Sequence, residues 1–170
     1  MTIYQVLQKF WGFAKFRPLQ EEIIQSILDG HDTLALMPTG GGKSACFQVP
    51  ALANPGICIV VSPLIALMKD QVENLKEKGV NAIAIISGMG KREVDIALDN
   101  CIYGEIKFLY LSPERLLSDL VRERIRHMNV NLIAIDEAHC ISQWGYDFRP
   151  SYIRIANLRE ELPDVPVIFP

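Results

Sequence analysis

Short apolar runs alternate with segments of helical spacing along the whole sequence, and that alternation predicts an α/β domain, a mostly parallel sheet with helices on both faces. Three observations carry this. The runs at 56–61, 107–111 and 132–135 are almost wholly apolar, as in strands buried on both sides. Between the runs lie stretches of about 10–15 residues with apolar positions three and four apart. Two runs, 34–37 and 132–135, end in a glycine-rich turn and a pair of carboxylates, groups suited to the ligand-binding edge of a parallel sheet.

A length of 170 residues suits one domain, 1–170, large enough to bury most of its apolar surface. With 49% apolar and 22% charged residues, the composition is that of an ordinary soluble domain. No apolar run approaches the roughly 20 residues needed to cross a bilayer. The opening Met1-Thr2-Ile3-Tyr4-Gln5-Val6 lacks the basic and apolar regions of a secretory signal, so a cytoplasmic location and no membrane partner are expected. The net charge of −3 means that any nucleic-acid contact must be a local patch. Cys46, Cys58, Cys101 and Cys140 form no C-x-x-C pair, which argues against zinc. The first three fall in helix and strand patterns as small buried hydrophobes, and Cys140 reads as an inert thiol under a loop. A reducing compartment fits.

The first helix is expected over 3–10, with Tyr4, Leu7 and Trp11 on one face. A second begins at Pro18, which suits a first helical turn, with Glu21 and Glu22 at its positive end. Ile23, Ile24, Ile27 and Leu28 make its buried stripe, and Gly30 ends it. Residues 34–37 read as a buried strand leading through glycines into a third helix. Strand 56–61 ends at Ser62 and Pro63. The next helix turns Leu64, Leu67, Met68, Val72 and Leu75 inward and stops at Gly79. Then come strand 80–86, a turn at 87–90, and a helix at 91–103 with Val94, Ala97, Leu98, Cys101 and Ile102 inward. Strand 107–111 follows, and helical spacing resumes through Leu117, Leu120, Val121, Ile125 and Met128. Strand 132–135 runs into Asp136, and 165–169 opens one more strand.

The chemistry concentrates at strand ends. In Thr39-Gly40-Gly41-Gly42-Lys43-Ser44, three glycines let backbone N–H groups converge with no Cβ in the way. With the positive pole of the following helix they make a phosphate site. Lys43 would reach the β- and γ-phosphates, and the Ser44 hydroxyl would hold Mg²⁺. Met37 stands where the strict P-loop pattern has glycine, so this stretch alone also reads as a plain turn before an amphipathic helix. Asp136 and Glu137 weigh against that. At a strand tip one carboxylate can hold Mg²⁺ through water, and the next can orient or deprotonate an attacking water. Arg17 and Gln20 lie one helix before the glycine turn, and a glutamine amide has the donors and acceptor to read an adenine edge. Ser62-Pro63 and Ser112-Pro113 each place a hydroxyl before a helix start. With Lys69 and Arg115 they can hold nucleic-acid phosphates, or the serines can simply cap helices. Beyond the carboxylates, Trp144, Tyr146, Phe148, Arg149 and Tyr152 crowd a stretch broken by Gly145 and Pro150. Aromatics interleaved with arginine are what single-strand binding uses, and loop aromatics also serve as core lids.

Together these stretches resemble superfamily 2 helicases and, within them, the RecQ family of DNA helicases, over almost the whole chain. The resemblance implies a RecA-like P-loop NTPase fold. Phe16-Arg17-Pro18-Leu19-Gln20 is similar to the motif that recognises adenine, and Phe13 holds the place of the aromatic that stacks on the base. Residues 37–44 resemble helicase motif I, which tolerates a non-glycine at its first position. Residues 62–71 resemble motif Ia, 112–116 a later strand-tip motif facing DNA, and Asp136-Glu137-Ala138-His139 motif II. Residues 142–150 are similar to the aromatic-rich loop characteristic of RecQ, which couples single-stranded DNA binding to ATP hydrolysis. On that likeness Gln143, Trp144, Asp147, Phe148 and Arg149 bind DNA or couple, and His139 passes DNA occupancy to the ATP site. Tyr146 departs from the histidine common in bacterial members.

The resemblance further implies ATP and Mg²⁺ as cofactors, and single-stranded and duplex DNA as partners. It implies 3′-to-5′ unwinding, a second RecA-like domain of the same parent chain, and a nucleoid-associated location if the source is bacterial. Phe169-Pro170 stand where the family continues toward its Thr-Ala-Thr motif III. The sequence is therefore read as an incomplete N-terminal motor domain, weak in hydrolysis and inactive in unwinding by itself. Two other readings stand beside this one, a non-catalytic nucleic-acid-binding or nucleotide-switch module and an RNA helicase domain. The 142–150 loop disfavours the RNA reading.

Overall fold

The sheet is two-sided because its central strands have no polar face. In β2 (Ile57–Val61) all five residues are buried, and in β4 (Phe108–Leu111) all four are. This is a computed structural model, which describes residues 1–35, 37, 42–136 and 149–170, with 149–154 described by backbone alone. With β1 (Thr33–Leu34), β3 (Ala82–Ile85), β5 (Val130–Ile135) and β6 (Val167–Phe169), these strands form one sheet in the order β1-β6-β5-β2-β4-β3. Every pairing is parallel. The parallel sheet expected from the alternation of runs and helices is thus present.

Strand alternation sorts the side chains onto two faces. Cys58, Val60, Phe108, Tyr110, Leu132 and Ala134 face α3 (Lys43–Ala53) and α4 (Ile65–Glu77), meeting Phe47, Met68, Val72 and Leu75. Ile59, Val61, Leu109, Leu111, Ile133 and Ile135 face α5 (Lys91–Tyr103), α6 (Asp119–Arg126) and α7 (Arg149–Glu161), meeting Val94, Leu98, Val121, Ile125 and Leu158. A third cluster lies outside α3, where α1 (Ile3–Trp11) and α2 (Gln20–Leu28) pack Val6, Leu7 and Ile24 on Val49.

Several boundaries differ from the sequence expectation. Helix α1 buries Ile3, Val6 and Leu7, not Tyr4, which is half exposed. Tyr4 instead bonds Glu21 through its hydroxyl and sets its ring against Phe16. Helix α2 begins at Gln20, two residues after Pro18, because Leu19 interrupts the helix with φ 74°. Leu34, expected inside a buried strand, is 68% exposed, since among the described residues β1 pairs only with β6. Leu64 and Leu117 are exposed rather than inward. Leu64 is the residue before α4, and Leu117 ends a 3-10 turn (Pro113–Leu117) that separates β4 from α6. Helix α7 was not anticipated. Its start at Arg149 falls within the stretch read as a loop.

Candidate functional site

Three strand tips stand side by side at the carboxyl edge of the sheet. The backbone N–H of Ser62 donates to Leu111 O (3.0 Å), that of Ser112 to Ile85 O (3.3 Å), and that of Asp136 to Val61 O (2.8 Å). Asp136, Ser62 and Ser112 therefore leave β5, β2 and β4 in neighbouring positions, as expected from sequence. Because all the strands are parallel, β1 also ends at this edge, and Gly42, Lys43 and Ser44 follow it into α3. The positive pole of α3 thus lies at the edge that carries Asp136.

Gly42 is the pivot of that turn. Its φ is 78°, and a Cβ there would lie 2.3 Å from Nε2 of Gln20. The Gln20 side chain is buried, and both ends of its amide bond to backbone. Nε2 donates to Gly42 O (3.1 Å), and Oε1 accepts from Arg17 N (2.8 Å). Gln20 therefore ties the turn expected to meet a base to the turn expected to meet phosphates. Phe13 is 54% exposed, accessible to a planar partner. Lys43 and Ser44 are half-buried on the first turn of α3. Cys46 is buried one turn on, its thiol near Met37 Sδ (3.3 Å) and Gly42 O (3.7 Å), and burial pushes its pKa up to about 11.

Asp136 is 7% exposed, and Nε2 of Gln71 on α4 donates to its Oδ2 across 3.4 Å. The Tyr110 hydroxyl, buried in β4, donates to Gln71 Oε1 (2.7 Å) and accepts from Gln48 Nε2 (3.1 Å). Sequence reasoning gave no role to Gln48, Tyr110 or Gln71. The available signal was a glutamine inside an otherwise apolar helix face, at 48 in α3 and at 71 beside Met68 and Val72.

The strand-tip serines are more inward than the phosphate-binding expectation requires. Ser62 and Ser112 are each 1% exposed. Ser62 Oγ accepts from Leu64 N (3.3 Å), a bond in the loop before α4 whose N-cap is Leu64, while Ser112 Oγ has no partner among the described residues, so neither serine caps a helix with its side chain. Arg115 directs Nε and an Nη at Ile86 O (3.2 and 2.6 Å), with a longer bond from that Nη to Met89 O (3.4 Å), so its guanidinium braces the end of β3. Pro63 is half-buried and Lys69 is exposed on α4. Thr39, Gly40, Gly41, Glu137, His139, Cys140, Gln143, Trp144, Asp147 and Phe148 lie outside the described residues, as does the side chain of Arg149.

A parallel sheet in which one strand is followed by Gly42 and α3 and another by a buried aspartate is the frame of an α/β domain of the P-loop class. The chain belongs to the DEAD/DEAH box helicase family, which it matches over residues 17–169, and membership implies the use of ATP. It is 46% identical to the probable ATP-dependent DNA helicase RecS of Bacillus subtilis, over 98% of this chain and 33% of that protein. It is 44% identical to the ATP-dependent DNA helicase RecQ of Haemophilus influenzae, over 98% of this chain and 27% of that protein. The chain thus spans about a third or less of the curated relatives it matches. Among solved structures the DUF1998 helicase MrfA has the same fold, with a TM-score of 0.72 at 20% identity over 98% of this chain and 28% of the other. Among the described residues no helix is long and apolar enough to cross a membrane, and no cluster of three or more His, Cys, Asp or Glu could hold a metal.

Proposed function

We propose that residues 1–170 are the N-terminal RecA-like motor domain of a RecQ-type ATP-dependent DNA helicase. In the whole protein this domain works against a second RecA-like domain of the same parent chain, coupling ATP hydrolysis to 3′-to-5′ movement on single-stranded DNA and duplex unwinding. The observation that carries this reading is the shared edge, where the turn ending at Gly42 and the buried carboxylate of Asp136 follow parallel strands of one sheet.

Phe13, Arg17 and Gln20 hold adenine. Thr39 and Gly40 to Gly42 cradle the phosphates with their backbone N–H groups, and Lys43 neutralises phosphate charge. Ser44 and Asp136 supply the hard oxygen donors that Mg²⁺ takes. The donor set at this edge, the carboxylate of Asp136 and the hydroxyl of Ser44, is of the kind such a cation takes. When bound, Mg²⁺ would offset the charge that develops on the phosphates. Glu137 orients the attacking water. His139 and residues Gln143, Trp144, Asp147, Phe148 and Arg149 pass DNA occupancy to that site. DNA phosphates pass over the strand tips beyond the buried Ser62 and Ser112, with Pro63 at the surface and Lys69 as the exposed cation that holds them. Arg115 acts there by bracing the end of β3. An arginine from the second domain contributes roughly 10³–10⁵ in rate in related phosphoryl-transfer systems, so the 170 residues alone hydrolyse ATP weakly. The location is cytoplasmic, at the nucleoid in a bacterium.

The test is the ATPase rate of the full-length protein with and without single-stranded DNA or RNA. DNA should stimulate strongly, K43A and E137A should abolish turnover, and W144A and F148A should keep basal turnover while losing stimulation. Stimulation by RNA alone would make the protein an RNA helicase. No hydrolysis under any condition would reduce it to a binding module.

A further inference from the structure

The carboxylate of Asp136 is met by a side chain from another element. Gln71 Nε2 reaches Oδ2 from α4, and the amide that does so is itself held by two buried groups. A primary amide can present either its oxygen or its nitrogen, so its direction must be set by its neighbours. At this site the fixed group is the Asp136 carboxylate, which only accepts. Gln71 therefore turns Nε2 toward Oδ2 and Oε1 toward the Tyr110 phenol proton. The Tyr110 oxygen in turn accepts from Gln48 Nε2. The reversed Gln71 amide would set an oxygen against a carboxylate. Tyr110 and Gln48 hold the amide in this direction from β4 and α3.

Tyr110 is fully buried and Gln48 is 5% exposed. A polar chain inside an apolar core is retained against the alternative of hydrophobic packing, and a fixed geometry is the benefit it brings. Burial also pushes the Tyr110 phenol far above its usual ionisation range, so the proton that orients Gln71 is present at every physiological pH.

We propose that Gln71 is a positioning residue for Asp136, fixing the rotation of the carboxylate that receives nucleotide-bound Mg²⁺, with Tyr110 and Gln48 holding the direction of its amide. This rests on the ATP-site reading above. The test is a Mg²⁺ titration of fluorescent ATP-analogue binding to the full-length protein, repeated in EDTA. In Q71L the Mg²⁺ concentration at half-saturation should rise by about tenfold, the lower end for outer-shell substitutions, while the affinity in EDTA stays near wild type and the melting temperature falls only by what the unpaired Tyr110 hydroxyl costs. A residue that only filled space would weaken binding in EDTA and lower the melting temperature in proportion to any rise in the midpoint. Y110F should shift the same midpoint in the same direction by less, and Q71L/Y110F should go no further than Q71L, as expected for one connected chain. Unchanged midpoints in both single variants would overturn the positioning role while leaving the ATP site intact. Absence of Mg²⁺-dependent binding in the wild type would overturn the ATP site and this role with it. If Q71L fails to fold, the Y110F midpoint alone decides.

Discussion

Gly42 has two independent reasons to be glycine. Its φ of 78° costs an L-residue about 1–2 kcal/mol. A Cβ would also displace the Gln20 amide that joins Arg17 to Gly42. G42A should therefore weaken nucleotide binding by roughly tenfold or more, since about 1.4 kcal/mol is one decade. Q20A should share part of that loss, with a coupling above about 0.5 kcal/mol in the double-mutant cycle. Titration of a fluorescent nucleotide measures all four proteins, and strict additivity would separate the two residues. Gln20 and Asp136 were legible in the sequence because their neighbours form recognisable spacings. Tyr110 was not, because a tyrosine in an apolar run looks like packing until its hydroxyl is seen between two glutamines from different helices.

Helix α2 owes its start to a strained residue. Leu19 is the one non-glycine residue with positive φ among those described, and its side chain is 48% exposed. By taking the left-handed conformation at the N-cap it delays the helix to Gln20, and the chain turn there lets Arg17 N meet Gln20 Oε1. The strain costs about 1–2 kcal/mol, and glycine would remove it while adding about 0.5–1 kcal/mol of unfolded-chain entropy. L19G should thus be neutral or stabilising by up to about 1 kcal/mol in urea unfolding. A loss of more than about 1 kcal/mol would mean that the leucine side chain itself holds the turn. Sequence pattern predicted a helix here but placed Pro18 inside it, since proline suits a first turn and nothing local announces a left-handed leucine. The opposite error hid the start of α7. Pro150 was taken as a loop breaker, yet it falls at the second residue of that helix, where proline is at home. Both misreadings turn on proline, whose local meaning depends on which side of it the chain becomes helical.

The order of the strands was not legible, although their number and direction nearly were. Hydrophobic pattern says that a strand is buried, not which neighbours bury it. In the structure β6, the last strand in sequence among the described residues, lies between β1 and β5, the strand that carries Asp136. The same deep burial sets the molecule's response to base. Cys46 and Cys101 are pushed up to about 11 and about 12, and Cys58 and Tyr110 also rise, all chiefly by desolvation. Each keeps its proton in the folded state after the unfolded chain has lost it, so the stability it contributes is full below the unfolded pKa and falls as pH climbs toward the folded one. Every such group adds a slope of about 1.4 kcal/mol per pH unit once the unfolded chain ionises. Lys107 opposes them. Burial lowers its pKa, so the folded state releases that proton first and gains stability with pH. One lysine against three thiols and a phenol leaves a net loss. Folding stability measured by urea unfolding should therefore hold to about pH 8.5 and decline steeply between about pH 9 and 11. C101A, which removes one of these groups from α5, should flatten the slope by up to about one proton's worth even if it lowers stability at pH 7. A stability curve flat through pH 11 would mean that the core admits water to these groups.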